Sequence, residues 1–199
     1  SLEANPGTTG PKKLEDYLSA GVNRLSYGAQ SMLDRELKAL SRVHDRAAIE
    51  KEIRSAHSAG FDDLSVDLIY GLPGQTMESW QQSLVEVNQL PIKHLSLYSL
   101  ILEEETPLFH QVKLGQISLP EEDLVADMYL EAQSRLAGLG WRHYEISNWA
   151  AAPEYECRHN KTYWLNREWL GFGAGAHSHY KQRRFSNTGS VETYIEMMS

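Results

Sequence analysis

A carboxylate sits inside the most strand-like run of this chain. Leu64-Ser65-Val66-Asp67-Leu68-Ile69-Tyr70 rises as an apolar segment and stops abruptly at Gly71-Leu72-Pro73-Gly74-Gln75. Helix signals follow at once, with Thr76 as a candidate N-cap and Glu78 in the first turn. A strand that runs through a Gly/Pro turn straight into a helix is a βα unit, and its strand belongs in a buried parallel sheet. An ionised Asp67 is costly there unless something pairs with it. Near the C-terminal mouth of a parallel strand that partner is often a ligand; the plainer reading has Asp67 accepting from neighbouring backbone N–H groups.

The βα rhythm repeats on both sides of this unit. Leu2–Ala4 reads as a short strand, Lys12–Ala20 as a helix closed by Gly21, and Leu25–Gly28 as the next strand, with Gln30-Ser31 at its end. Helical patterns follow at Ser31–Leu40 and at Asp45–Ala59, the latter with Asp45 as N-cap and Gly60 as its stop. The strand Phe61–Ile69 leads to the helix Thr76–Gln89, whose apolar face carries Trp80, Leu84 and Val87, and His94–Ile101 is a further strand. After Leu102 the rhythm changes. Glu103-Glu104-Glu105-Thr106-Pro107 is a polar loop, Pro120 opens a helix to about Leu139, and Gly140 closes it. Arg142–Ile146, Trp169–Gly173 and Arg184–Asn187 read as short strands or loops, with Gly171, Gly173 and Gly175 allowing close backbone approach. The fold class is α/β, with an α+β region after residue 102.

Composition excludes several classes of function. The net charge of −8 argues against a nucleic-acid-binding surface, which needs a basic footprint. No segment is long and apolar enough for a transmembrane helix, and no signal peptide is visible. The single cysteine, Cys157, excludes an internal disulfide framework and points to a reducing, cytoplasmic compartment. The chain opens in the middle of a strand and stops inside a helical pattern, so a fragment of a longer protein is expected.

Polar side chains gather at the strand ends: Glu3 on the first strand, Gln30 at the end of the second, Asp67 on the third, Tyr98-Ser99 on the fourth. In a barrel of parallel strands these ends share one face. Two acids, an amide and a hydroxyl on one rim suit a ligand with a ribose, an amine or another cationic centre. Arg42 adds a planar donor fork for a carboxylate, or else forms an ordinary salt bridge with Glu3. Gly71-Leu72-Pro73-Gly74 is not a nucleotide loop, for it lacks both the Lys-Ser/Thr of a P-loop and dinucleotide-fingerprint spacing. In Arg158-His159-Asn160-Lys161-Thr162-Tyr163-Trp164 an imidazole stands beside large aromatics. It reads either as a buried His satisfied by Asn160 or backbone, or as an axial ligand to haem iron. Cys157 has no identifiable base and reads as structural. His177 and His179 are two potential metal ligands on one strand face, which without a third read more simply as packing or loop residues.

Six stretches match one family in order: Glu3-Ala4-Asn5-Pro6, Asn23 to Ser31, Leu40-Ser41-Arg42-Val43-His44, Asp67 to Gln75, Tyr144-Glu145-Ile146-Ser147-Asn148, and His159-Asn160-Lys161-Thr162-Tyr163-Trp164. Together they resemble the radical S-adenosylmethionine (SAM) proteins related to oxygen-independent coproporphyrinogen III oxidase, in their haem-chaperone branch. The resemblance implies a partial (β/α)6 barrel of the TIM-like kind. Residues 1–102 would supply its C-terminal part, strands three to six, and residues 103–199 an accessory region truncated at its end. It implies S-adenosylmethionine at the strand-end rim, with Glu3, Gln30, Arg42 and Asp67 as contacts and Ser99 and His177 as looser equivalents. It makes His159 the candidate haem ligand.

The family's cluster motif, C-x-x-x-C-x-x-C, would lie upstream, so the 4Fe-4S cluster belongs to the parent protein and the fragment by itself is expected to be inactive as a radical enzyme. The expected function is haem binding and delivery to haem-accepting proteins. The alternative is oxidative decarboxylation of porphyrinogen propionates by a coproporphyrinogen III oxidase. A homodimer stays open.

Overall fold

The computed structural model describes residues 1–199, which divide into two compact units, Ser1–Tyr155 and Glu156–Ser199. The first unit holds β1 (Leu2–Ala4), α1 (Pro11–Ser19), β2 (Arg24–Gln30), α2 (Asp34–Ala39), α3 (Arg46–Ala59), β3 (Asp63–Tyr70), α4 (Met77–Val87), β4 (His94–Ser99), α5 (Pro107–Lys113), α6 (Glu122–Gly138), β5 (Arg142–Glu145) and β6 (Asn148–Ala150). Its sheet runs β1-β2-β3-β4-β6-β5; β1 to β4 are parallel, and β6 and β5 join antiparallel. The division expected at residue 102 therefore falls within this unit, because β5 and β6 extend the same sheet and α6 packs on α4 and β3.

Local chemistry explains the helix ends. Asp45 accepts from the Ala48 N–H to cap α3, and Gly60 leaves the helix at φ +112°. Thr76 and Ser79 form a reciprocal capping box on α4. Within the segment expected to be loop, Thr106 caps α5 and Pro107 fills its first position. That Thr-Pro pair was the visible signal for the short helix. The strand β6 escapes sequence reading because three residues are too few to show a period of two; all three are buried.

The strands have two unlike faces. Leu25, Tyr27, Ala29, Leu64, Val66, Leu68, Leu95 and Leu97 are fully buried and share one core with Leu14, Ile49, Ile53, Trp80, Leu84, Met128 and Leu136 of the helices. Alternate residues make the other face: Arg24, Ser26 and Gly28 on β2, Asp63, Ser65 and Asp67 on β3, His94 and Ser96 on β4. Parallel strands covered on both sides by helices read as continuous apolar runs, whereas strands lining a barrel interior alternate. The alternation Asp63-Leu64-Ser65-Val66-Asp67 was present in the sequence and is the signal that the apolar reading of this strand passed over.

At the N-terminal ends of the strands the polar face is closed by its own partners. Arg24 donates to Asp63 at 2.5 Å. His94, 1% exposed, bonds Ser65 Oγ through Nδ1 at 2.8 Å and the Tyr144 hydroxyl through Nε2 at 2.7 Å. This is the end of a barrel at which polar residues serve stability.

The second unit holds α7 (Arg158–Trp164), the hairpin of β7 (His177–Tyr180) and β8 (Arg183–Ser186), and α8 (Val191–Met198). Residues 169–173 form no regular strand, but Trp169 bridges His179. A Cβ on Gly171 would overlap the His177 carbonyl, so this glycine is required for the backbone approach.

Burial and the charge of Arg24 hold the His94 imidazole neutral, pushed down to about 3 from 6.5. Between those values the unfolded chain takes up a proton that the folded chain refuses. Stability present above pH 6.5 is therefore lost as pH falls toward 3, by up to about 1.4 kcal/mol for each pH unit. Asp67, whose carboxyl is raised by burial, acts in the opposite sense. Urea midpoints at pH 7 and pH 5 should converge in His94→Gln relative to wild type. An unchanged pH slope in that variant would assign the dependence elsewhere.

Candidate active site at the strand ends

Three of the residues expected at the rim meet in one cavity. It has a volume of about 470 Å³ and is lined by Glu3 of β1, Gln30 of β2 and Asp67 of β3, with Ser26 and Gly28 between them. The register explains the meeting. Glu3 pairs with Ser26 and Gly28 with Asp67, so the residues lie on the same face of adjacent strands. Between Gly28 and Gln30 the ladder slips by one residue, and Gln30 adopts φ +72°. Gln30 stands two residues beyond Gly28, so alternation along β2 puts its side chain on the polar face, while the bulge pairs its backbone with Leu68 of β3.

Asp67 accepts from Ser26 Oγ at 3.0 and 3.2 Å. Its partners are hydroxyls, not the backbone N–H groups of the plainer sequence reading. Burial pushes its carboxyl above the ordinary range; the hydroxyls of Ser96 and Ser26 draw it back, and the charge of Glu3 raises it again. A Cβ at Gly28 would stand 2.8 Å from Gln30 Nε2 and 3.5 Å from Asn5 Oδ1. The missing side chain thus opens a cradle between an amide, an Asn and two acids. These donors and acceptors fit a ribose and an adjacent cationic centre.

The loop after β1 also lines the cavity through Asn5 and Thr8, as does Lys13 of α1. One carboxylate on α3 fixes this loop. Glu52 accepts from the N–H of Thr9 at 2.8 Å, from the N–H of Gly7 at 3.3 Å and from the Thr9 hydroxyl. The Thr9 hydroxyl also bonds the Tyr27 hydroxyl at 2.7 Å, and burial pushes Tyr27 up to about 12. Glu52, Asn5 and Gly28 were not singled out from sequence. Asn5 lay within a quoted motif, but Glu52 sits on a helix 43 residues from Thr9 and has no local signature.

The other expected residues lie elsewhere. Arg42 is half-buried beyond α2, forms no ion pair with Glu3 or any other acid, and does not line the cavity. Ser99 is exposed at the end of β4 on the face of Leu95 and Leu97, opposite to that of Asp67. In the second unit His177 is exposed, and His179 is tied to the Arg167 carbonyl at 3.0 Å. No three His, Cys, Asp or Glu side chains converge as a metal site. His159 is exposed on α7, neither buried nor satisfied by backbone. Its Nε2 bonds the Tyr163 hydroxyl at 2.8 Å, and its ring meets that of Tyr163 edge-on at 4.9 Å. Tyr163 in turn contacts Trp169 at 4.6 Å.

Residues 1–87 match the model of the radical SAM superfamily. This part of the chain is a radical SAM domain. The chain is 39% identical over all 199 residues to the heme chaperone HemW of Bacillus subtilis, covering 52% of that protein. It is 42% identical over 180 residues to the mitochondrial radical S-adenosyl methionine domain-containing protein 1 of Mus musculus, covering 90% of this chain and 40% of that one. Among solved structures, coproporphyrinogen III oxidase (HemN) from Escherichia coli superposes with a TM-score of 0.79 over 98% of this chain and 48% of that one, at 22% identity. The fold is thus that of the radical SAM TIM-like barrel, present in part. The chain spans about half the length of the curated relatives it matches. The superfamily implies S-adenosylmethionine and a 4Fe-4S cluster. The cavity's donor set fits the former. One cysteine, Cys157, does not fit a cluster held by three thiolates, and no cluster ligand is assigned within these residues.

Glu52 fastens the loop that lines this cavity, so Glu52→Ala should release it. Amide hydrogen exchange at Gly7 and Thr9 should accelerate by about tenfold or more, the cost of unmaking a charge-assisted bond of roughly 1.5–3 kcal/mol. Unchanged protection at Thr9 would show that the loop is held by other contacts.

Proposed function

We propose that the intact protein is a haem chaperone built on a radical SAM barrel. It holds S-adenosylmethionine at the strand-end cavity of the first unit and takes haem as cargo at α7 of the second. The observation that carries the haem reading is the presentation of His159: an exposed imidazole one turn from Tyr163, next to Trp164 at 54% and Leu165 at 54% exposure. Relatives named as heme chaperones that align with the whole chain support the same reading. The 22% identical oxidase supports the fold alone.

Bound S-adenosylmethionine supplies a sulfonium for reductive chemistry. Gln30 offers both a donor and an acceptor to ribose hydroxyls, and Asp67 accepts from the same groups. Glu3 gives a second negative charge for a cationic group. Because Asp67 is raised, its acceptor form is lost at a higher pH than for an ordinary carboxylate, and ligand affinity should fall correspondingly early in acid. At α7, an incoming iron competes with the Tyr163 hydroxyl for His159 Nε2, a neutral hydrogen bond worth only about 1 kcal/mol. Delivery to haem-accepting proteins and residence in the cytoplasm follow from this reading. No helix of the structure is long and apolar enough to cross a membrane.

For the cavity, calorimetry on the intact protein should show Asp67→Ala and Gln30→Ala each weakening S-adenosylmethionine about tenfold or more, the cost of roughly 1–3 kcal/mol for an unpaired buried polar group. Gly28→Ala should act like Gln30→Ala by displacing its amide. Wild-type affinity in a folded Asp67→Ala variant would return that residue to a structural role.

For haem, ferric haem added to the intact protein should give a shifted Soret band that His159→Ala abolishes or converts to another ligation state. Trp164→Phe should be milder, since it removes contact area and not a ligand. An unchanged spectrum in folded His159→Gln would overturn the assignment.

A further inference from the structure

Glu36 is the least expected carboxylate in the first unit. It lies on the short helix α2, away from the cavity lining, and is 2% exposed. Its Oε2 accepts two hydrogen bonds, from Ser31 Oγ at 2.6 Å and from Gln75 Nε2 at 3.1 Å. Its Oε1 is buried with no partner. An acid placed so costs stability, and an orphaned oxygen of this kind in a native fold calls for a reason.

The reason lies in what the two donors belong to. Ser31 directly follows Gln30 and turns the chain out of β2, its Oγ accepting from the Leu33 N–H at 3.0 Å. Gln75 closes the Gly71–Gly74 turn that carries the chain out of β3, its Oε1 accepting from the Leu72 N–H at 3.2 Å. Glu36 therefore ties together the two loops that leave the strands bearing Gln30 and Asp67. Gln30 needs such a tie. It sits at a register slip with φ +72°, a conformation that a residue other than Gly holds only when its surroundings impose it.

We propose that Glu36 is a positioning residue for the strand-end cavity: by joining Ser31 to Gln75 it holds Gln30 in the bulged, left-handed conformation in which its side chain lines the cavity with Asp67. The proposal rests on the reading of that cavity as a site for S-adenosylmethionine. It touches no ligand and acts only through Gln30. The orphaned Oε1 is then the cost of placing a two-acceptor side chain where both loops can reach one oxygen.

The test is a double-mutant cycle in the intact protein, read by calorimetry with S-adenosylmethionine. Gln30→Ala is the reference arm. If it leaves affinity unchanged, the cavity reading itself fails. If it weakens affinity, Glu36→Ala should do so by a similar factor, about tenfold. Adding Glu36→Ala to Gln30→Ala should then change affinity less than twofold, since the two act as one unit. Glu36→Gln, which retains the shape and one acceptor oxygen, should restore most of the loss. Independent, multiplicative effects of Glu36→Ala and Gln30→Ala would overturn the proposal, as would wild-type affinity in folded Glu36→Ala. Should Glu36→Ala not fold, Ser31→Ala removes one arm of the tie at little change in volume and must lower affinity in the same direction; wild-type affinity there would equally overturn it.

Discussion

Everything in the first unit depends on a parallel sheet with one apolar and one polar face. The apolar face is a conventional core, in which fully buried Leu, Val and Tyr side chains of β2, β3 and β4 meet Ile49, Ile53, Trp80 and Leu84 of the helices. Removing such side chains from water is the main favourable term in folding. The polar face cannot be stabilised that way. Each of its groups must find a partner on a neighbouring strand, and the in-register pairing of β1 to β4 supplies those partners at fixed spacing.

Along the strands this requirement is met differently at the two ends. At the start of β2, β3 and β4 the partners are internal: Arg24 with Asp63, and Ser65 with His94 and Tyr144. Those groups are satisfied and closed. Toward the strand ends satisfaction runs out. Asp67 has hydroxyl donors but no ion pair, and Glu3 and Gln30 line the open cavity. A polar face that is self-sufficient at one end and under-satisfied at the other distinguishes structural polarity from a ligand site.

The loops around the cavity are held by carboxylates that do not line it. Glu52 fixes the wall after β1, and Glu36 joins the exits of β2 and β3. Charged acceptors suit this work, because one oxygen can take several N–H or O–H donors at once and such bonds are stronger than neutral ones. Both sit on helices of the outer layer, so the apolar packing of α2 and α3 determines the geometry of the cavity wall.

The sequence alone determined the order of β1 to β4 and of the helices between them, the caps of α3 and α4, and the assignment of Glu3, Gln30 and Asp67 to strand ends, because these follow from local turn chemistry and short-range apolar pattern. The six spaced motifs likewise placed the chain in its family. Only the tertiary structure decided which rim residues share a cavity. Arg42 and Ser99 stand at the right places along the chain, yet one lies beyond the lining and the other faces the opposite side of its strand. Gln30 keeps the face that alternation gives it, but its one-residue slip and left-handed backbone follow from the pairing with β3. The extent of the first unit, carried past residue 102 by β5 and β6, was equally a matter of long-range pairing. Local sequence fixes backbone conformation within a few residues, whereas register, face and partnership between segments are set by how the whole sheet closes on its core.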